Sequence, residues 1–159
     1  MTVEVEQLSI CMEHGTPIFC IFSPDGTLQI PCLQFLQTEY SGQFTIIGAS
    51  SIPTVEELNR TIYSTALTTR EIERSYQGLL RFIGFKSCPR ILIISNTESL
   101  STDQALALRG CLNEMESDQG RGSHASDWPR SIIFVLKQGE FLPDDLHKFV
   151  HAVIDPDDD

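Results

Sequence analysis

One stretch decides the fold: Ser23-Pro24-Asp25-Gly26-Thr27-Leu28-Gln29-Ile30. It follows an apolar run, Pro17 to Phe22, whose length and Ile/Phe content are typical of a strand buried on both faces. It precedes a helix-like run from Pro31 to Tyr40. A strand, a short polar loop and a helix in this order predict the first crossover unit of a parallel α/β sheet.

The loop lies where a phosphate-binding loop would lie, but it lacks the groups that bind phosphate. The pattern G-x-x-x-x-G-K-[ST] uses glycines to bring backbone N–H groups to the phosphates, a lysine to reach the β/γ-phosphates and a hydroxyl to ligate Mg²⁺. The four defining positions hold Ser23, Leu28, Gln29 and Ile30, and Gly26 is the glycine that remains. The sequence therefore predicts a nucleotide-type scaffold that does not hydrolyse nucleotide.

Length and composition favour a single globular domain. The 159 residues are 41% apolar, which is enough to bury a core. We expect one domain over residues 1–154, followed by an acidic tail over residues 155–159. No apolar run reaches the ~18–20 residues of a membrane helix, and the N-terminus carries acids where a signal peptide carries bases. These features predict no membrane insertion and a cytoplasmic protein, or a nuclear one in a eukaryote.

Charge and cysteine usage narrow the function classes. Lys and Arg number 11 against 22 Asp and Glu, and the formal net charge of −11 repels a nucleic-acid backbone. We therefore expect no direct nucleic-acid binding. The five cysteines form no C-x-x-C pair and lie mostly within apolar runs, which predicts reduced core thiols without a catalytic or metal role.

Further strands and helices alternate along the chain. Apolar runs predict strands at Phe44 to Gly48, Arg90 to Ser95 and Ser131 to Leu136. Helix-start patterns occur at Pro53, Thr69, Ser101 and Pro143. The last of these predicts a helix whose apolar face carries Leu146, Phe149, Val150 and Val153. The segment Val3 to Met12 fits an edge strand or a short helix, and the Gly/Ser-rich stretch Gly120 to Asp127 predicts a mobile loop.

A second segment allows a family to be named. The segment resembles the Walker B region of AAA+ ATPases, especially those of bacterial secretion pathways; it reads Ile91-Leu92-Ile93-Ile94-Ser95-Asn96-Thr97-Glu98-Ser99-Leu100-Ser101. In that family the strand ends in Asp-Glu: the Asp holds Mg²⁺ through water, and the Glu activates the attacking water. In this chain the two positions are occupied by Ser95 and Asn96. The strand Ile132 to Leu136 and the turn from Lys137 to Leu142 are similar to the sensor strand and the turn that follows it in the same ATPases.

The resemblance implies a three-layer α/β domain of the AAA+/RecA P-loop type with a reduced parallel sheet. Because the Lys, hydroxyl, Asp and Glu positions are all substituted, it implies a pseudo-ATPase: not an enzyme, without a cofactor or a metal, and acting as a scaffold or regulatory subunit in a larger assembly. Such domains join neighbours, in hetero- or homo-oligomers, around the nucleotide site. Leu28, Ile30 and Phe35 are therefore the candidates for a protein interface.

Other interpretations remain open from the sequence. The chain could be a degenerate recombinase-type paralog whose partner supplies the DNA contact in repair, or a weak nucleotide-binding enzyme that uses Glu98 and Lys137. An unrelated α/β fold would give the same alternation of strands and helices. Ser23 to Gly26 could also be a type I turn in a hairpin, which would make Thr27 to Phe35 a strand. His147 and His151, four apart in a predicted helix, could hold a metal, although a solvated helix face is the simpler interpretation.

Overall fold

The computed structural model describes residues 2–57, 90–120 and 129–155. Within these ranges five strands form one sheet: β1 (Ile18–Ser23), β2 (Phe44–Gly48), β3 (Ile91–Ser95), β4 (Ser131–Lys137) and β5 (Ala152–Ile154). The helices are α1 (Val3–Glu13), α2 (Ile30–Glu39), α3 (Thr102–Gly120) and α4 (Asp144–His147), with short 3-10 turns at Ala49–Ser51 and Thr97–Ser99. The helix predicted at Thr69, the rest of the predicted loop (residues 121–127) and tail residues 156–159 lie outside the described ranges.

The sheet is parallel throughout, with the strand order β2-β3-β4-β1-β5. In the register of β1 with β4, Ile18 lies beside Ile132 and Ser23 beside Lys137. Because all strands run in one direction, the loops that follow β1, β3 and β4 emerge at the same edge of the sheet. The four predicted strands are confirmed, each within one residue of its expected ends.

Helices cover both faces of the sheet and create two apolar cores. On one face α3 and α4 pack on the sheet; this first core includes Leu108, Leu112 and Leu146 with Ile132 and Phe134. On the other face α1 and α2 form a second core with alternate strand residues; it includes Leu8, Met12, Leu36, Phe19 and Ile133. Burial of a central strand on both faces explains its continuous apolar sequence. The described residues thus form a three-layer α/β arrangement, as expected.

Local signals explain where the helices begin. The hydroxyl of Thr2 accepts a hydrogen bond from the Val5 N–H at 3.2 Å, so the ambiguous N-terminal segment is a helix and not an edge strand. Ser101 and Gln104 exchange side-chain to backbone bonds of 3.1 and 2.8 Å before α3, which confirms the predicted start. Pro31 lies in the first turn of α2, where its missing N–H costs nothing. The helix α2 rules out the hairpin interpretation of residues 23–35.

The prediction for the last helix was wrong in its length. α4 ends at His147, and Val153, which was expected on its apolar face, belongs to β5 beside Cys20 of β1. The apolar residues Leu146 and Phe149 do pack in the first core, which explains the helical spacing of this region. The spacing of Val150 and Val153 continued the pattern by chance, because the chain turns at Lys148 and Phe149 and joins the sheet from His151 onward. None of the helices in the described ranges is long and apolar enough to cross a membrane.

Candidate functional site

The loops that follow β1 and β4 meet at the point where the sheet reverses its winding direction. The connection from β1 leads over α2, on one face, toward β2; the connection from β4 leads over α4, on the other face, toward β5. In open parallel α/β sheets, ligands bind in the crevice at the carboxyl ends of such neighbouring strands. The candidate site is therefore this crevice, and the loop after β3 forms its third wall.

The loop after β1 is closed by its own side chains. One carboxylate oxygen of Asp25 accepts hydrogen bonds from the backbone N–H of Thr27 at 3.0 Å, from the Thr27 hydroxyl at 2.7 Å and from the Gln29 amide at 2.9 Å. The bonds from the Thr27 hydroxyl and N–H lower the pKa of Asp25 below its ordinary value. This arrangement is an Asx turn, and it preorders the loop without a ligand.

Gln29 stands where a phosphate-binding loop has its lysine, and its side chain is turned back into the loop. Its amide nitrogen donates both to Asp25 and to the backbone carbonyl of Thr27, the latter at 3.0 Å. The side chain stabilises the turn from which a lysine would extend toward phosphate. Ile30 stands where a phosphate-binding loop has the hydroxyl that ligates Mg²⁺. Its side chain is 69% exposed and contains no oxygen that could ligate a metal ion.

Asn96 bridges the loops after β1 and β3. Its backbone N–H donates to the Gly26 carbonyl at 2.8 Å, and its side-chain amide donates to the Asp25 carbonyl at 3.1 Å. The loop thus directs two carbonyl oxygens toward β3, where a phosphate-binding loop directs N–H groups at the phosphates. Asn96 adopts the left-handed conformation, with a φ of 55°, which asparagine tolerates better than most residues. A backbone of this polarity disfavours an anion.

Glu98 brings a carboxylate into the crevice. Its Oε1 atom accepts the backbone N–H of Lys137 at 3.0 Å, at the carboxyl end of β4. A Cβ built on Gly26 would lie 2.5 Å from the same Glu98 oxygen and 2.5 Å from the Asn96 amide nitrogen. The carboxylate therefore lies directly against the loop, beside the strand end over which a bound phosphate would be held. Its negative charge adds to the unfavourable polarity of the loop.

Two polar atoms at this edge have no hydrogen-bond partner among the residues that the structure describes. They are the Ser23 hydroxyl, in a residue 1% exposed at the end of β1, and the Oε2 atom of Glu98. Unpaired buried oxygens are rare, because an unmade hydrogen bond costs free energy. Both atoms belong to the edge of the sheet that carries the candidate site.

The other predicted site residues divide between the crevice and its surroundings. Ser95 is buried at the end of β3, and Lys137 is exposed at the end of β4. Leu28 and Phe35 are half-buried and pack against the second core. Ile30 is the candidate interface residue that stands free in solvent. The structure thus brings the loop residues together around Glu98, while the three apolar candidates lie on the α2 side.

Two contributions to the site were not recognised from the sequence. Asp25 closes the loop, and the signal for this was present in the Asp-Gly-Thr order, which is typical of an Asx turn. For Glu98, the contribution that the sequence did not indicate is structural. Its Oε1 atom accepts the backbone N–H of Lys137 at the neighbouring strand end, a contact that no local pattern predicts.

Metal and thiol chemistry find no further support in the described ranges. These residues contain no group of three or more His, Cys, Asp or Glu side chains that could hold a metal ion. His147 ends α4 and His151 immediately precedes β5, so the two do not share a helix face as the sequence predicted. Burial raises the pKa of the Cys20 thiol to about 12 and, together with the charge of Glu4, that of Cys32 to about 11. Both thiols are therefore protonated and unreactive at neutral pH.

No protein-family model matches the chain, and no curated protein sequence matches it.

Proposed function

We propose that this chain is a non-catalytic domain of the P-loop type, in the manner of AAA+ and RecA-like ATPases, which acts through protein contacts in a larger assembly. In this proposal the nucleotide site has been converted into a fixed structural element. The chain then serves as a scaffold or a regulatory subunit, and its surfaces carry the function that catalysis carries in an active ATPase.

The polarity of the loop after β1 carries the proposal. Phosphate binding needs backbone N–H groups, a lysine and a cation at the strand edge. In this chain the carbonyls of Asp25 and Gly26 turn to Asn96, and the carboxylate of Glu98 lies against Gly26. Each of these groups repels an anion, and hydrogen bonds within the protein hold most of them in place. The site therefore favours a closed, ligand-free loop.

The sheet supports the choice of the P-loop type. The two strands whose following loops resemble the Walker motifs, β1 and β3, flank β4, whose following turn resembles the sensor region. The three loops that would surround a nucleotide are therefore neighbours in space. This neighbourhood is what a nucleotide site of the proposed type requires, and it supports the proposal for that reason.

The α2 side of the loop is the interface we propose for partner or self association. Ile30 is 69% exposed. Leu28, two residues before it, and Phe35, five residues after it, are half-buried. A contiguous apolar patch on the surface is typical of a protein contact site, and in this proposal the three side chains form one. Ile30→Asp should weaken association without unfolding the chain, because its side chain contributes little to the second core.

The decisive experiment measures ATP binding and turnover by the purified chain with Mg²⁺. We expect no heat of binding in isothermal titration calorimetry at micromolar ATP, and phosphate release no faster than that of the heat-denatured protein. The matched control is Glu98→Gln, which removes the charge of the carboxylate at nearly constant size. Micromolar ATP affinity or turnover by the natural chain would overturn the proposal, whereas the same behaviour confined to Glu98→Gln would identify the carboxylate as the group that excludes nucleotide.

A further inference from the structure

A groove of about 730 Å³ lies on the α4 side of the sheet, next to β5. Its floor consists of strand residues that include Cys20, Phe22 and Leu136, and its wall is the segment from Phe141 to Val150. On β5 the groove is lined by Ala152 and Val153. This site is separate from the crevice between the loops after β1 and β4 and from the apolar residues beside α2.

Among the residues that the structure describes, β5 is an edge strand, and it lies beside this groove. Within the described residues its one neighbour in the sheet is β1. The N–H of His151 donates to the Ile18 carbonyl at 2.8 Å, so the backbone groups of alternate residues point to β1. The N–H and C=O groups of Ala152 and Ile154 therefore point away from the sheet. An open edge of this kind is a template for the addition of another strand.

The side-chain direction of an added strand matches the groove. Val153 lies on the first-core face, because its neighbours Ala152 and Ile154 pack against the second core. A strand added beside β5 would place every second side chain on the same face as Val153, and these side chains would enter the groove. Backbone pairing and apolar burial would thus be satisfied together.

The exposed residues of the groove define the chemistry of its occupant. Phe141 is 86% exposed and Val153 is 58% exposed, and both are apolar side chains in contact with solvent. The ammonium of Lys148, held 5.0 Å from the ring centre of Phe149, lines the same groove together with the imidazoles of His147 and His151. One carboxylate, that of Asp144, also lines it. In a chain of net charge −11, the exposed ammonium of Lys148 is the formal cation of this lining, and it can pair with a carboxylate of a partner.

We propose that β5 and the adjoining groove bind an extended segment of a partner protein as a sixth strand. The segment has apolar residues at alternate positions, which fill the groove beside Phe141 and Val153, and an acidic residue that faces Lys148. This inference rests on the proposed function only in taking protein association as the role of the domain. A segment of this kind adds affinity through main-chain hydrogen bonds and specificity through its alternate side chains.

The test uses the full chain and a phage-displayed library of random dodecapeptides. Enriched sequences are synthesised, and their affinity is measured by fluorescence anisotropy against the natural chain and four variants. Phe141→Ser and Lys148→Glu alter the groove; Ile10→Ser and Arg90→Glu are matched controls at exposed positions, on α1 and at the amino end of β3. We expect enriched peptides with alternating apolar residues and an acidic residue, and a loss of at least about tenfold in affinity for the two groove variants alone.

Methylation of the peptide backbone separates strand addition from other modes of binding. N-methylation of the alternate amides that face β5 should abolish binding, while N-methylation of the intervening amides should not. The proposal is overturned if no such peptide is enriched, if the groove variants bind like the controls, or if methylation has no effect. The proposal is also overturned if oleate binds in the groove and no peptide does. The ATP titration is independent of all these results, so either proposal can fail while the other stands.

Discussion

The backbone N–H of Asn96 donates a hydrogen bond of 2.8 Å to the carbonyl oxygen of Gly26. This bond joins the loop after β3 to the loop after β1 across the end of β4. It also fixes the direction of the Gly26 peptide group, with its oxygen turned toward the protein. A loop held in this way is stable without a ligand, and reorganising it to bind phosphate would first require this bond to break.

The first prediction concerns Gly26→Ala. Gly26 has a φ of +79°, a conformation that costs an alanine about 1–2 kcal/mol. A Cβ there would also lie 2.5 Å from the Asn96 amide and from the Glu98 carboxylate, so the bridge between the loops must shift. We expect a loss of more than about 2 kcal/mol in the free energy of unfolding, measured by urea denaturation.

Gly42→Ala is the matched control for this experiment. Gly42 has a similar φ of +74°, but a Cβ built on it would meet no atom within 4 Å. It should therefore show the conformational cost alone, with a melting temperature lowered by about 2–4 °C for each kcal/mol in a domain of this size. Equal losses in the two variants would mean that the loops do not press against Gly26.

Much of the fold could be predicted from the sequence, because each central strand is buried on both faces. Segments such as Ile91–Ser95 and Ser131–Lys137 are continuous apolar runs, as strands buried on both faces are. They are also shorter than a typical helix, so their length identifies them as strands. β5 was missed since it has three residues and follows Leu146 and Phe149, whose spacing is helical. A strand this short is defined by its pairing with β1, which no local pattern reveals.

The candidate site was predictable in position and not in geometry. The strand, loop and helix order located the loop after β1, because that order places a loop at the carboxyl edge of a parallel sheet. The contact of Glu98 with the Lys137 N–H joins residues 39 positions apart, and it depends on β3 and β4 being neighbours. The sequence could therefore show that this loop lacks the groups of a phosphate-binding loop, but not which contacts hold the loop in place.

The second prediction is that Gln29→Lys does not create ATP binding. A lysine at this position restores the cation of a phosphate-binding loop, but the Asp25 carboxylate, which now binds the Gln29 amide, would attract the ammonium. The carbonyls of Asp25 and Gly26 would still face Asn96. We expect no ATP binding at micromolar concentrations by calorimetry, although the melting temperature should remain close to that of the natural chain.

The double variant Gln29→Lys with Glu98→Gln tests whether charge alone excludes nucleotide. The proposed mechanism also assigns a role to the direction of the carbonyls, so this variant should bind ATP weakly or not at all. Micromolar binding by the single variant would show that the loop retains a phosphate-binding conformation, against the interpretation given above.

The third prediction concerns the pH dependence contributed by Asp25. The hydrogen bonds of Thr27 and Gln29 favour the ionised carboxylate and lower its pKa in the folded state below the ordinary 3.8. The stabilisation is therefore fully present above the pKa of the unfolded chain and is lost as the pH falls through the lower pKa of the folded chain. The melting temperature of the natural chain should exceed that of Asp25→Asn at pH 6, and the difference should shrink below pH 3.8.

Glu140→Gln provides the control for general acid effects, because Glu140 is an exposed residue of the turn after β4. Its melting temperature should follow that of the natural chain over the same pH range. A difference between the natural chain and Asp25→Asn that is constant with pH would show that the carboxylate acts by shape and not by its charge.

The last prediction is that the thiols of Cys20 and Cys32 react with iodoacetamide far more slowly in the folded chain than after unfolding. Cys20 lies in β1 with 3% of its surface exposed, and burial raises the pKa of its thiol to about 12; Cys32, in α2, is 1% exposed with a pKa of about 11. The thiolate is the reactive form, and at pH 8 it is present at a small fraction of the amount in an unfolded chain, where the pKa is ~8.5. Limited access slows the reaction further, so we expect labelling at least ~100-fold slower than in urea.

Peptide mass spectrometry of a time course, with the urea-unfolded chain as reference, measures each cysteine separately. Labelling of Cys20 in buffer at a rate close to that in urea would show that β1 is exposed by local opening, and the arrangement of the sheet around β1 would then have to be revised.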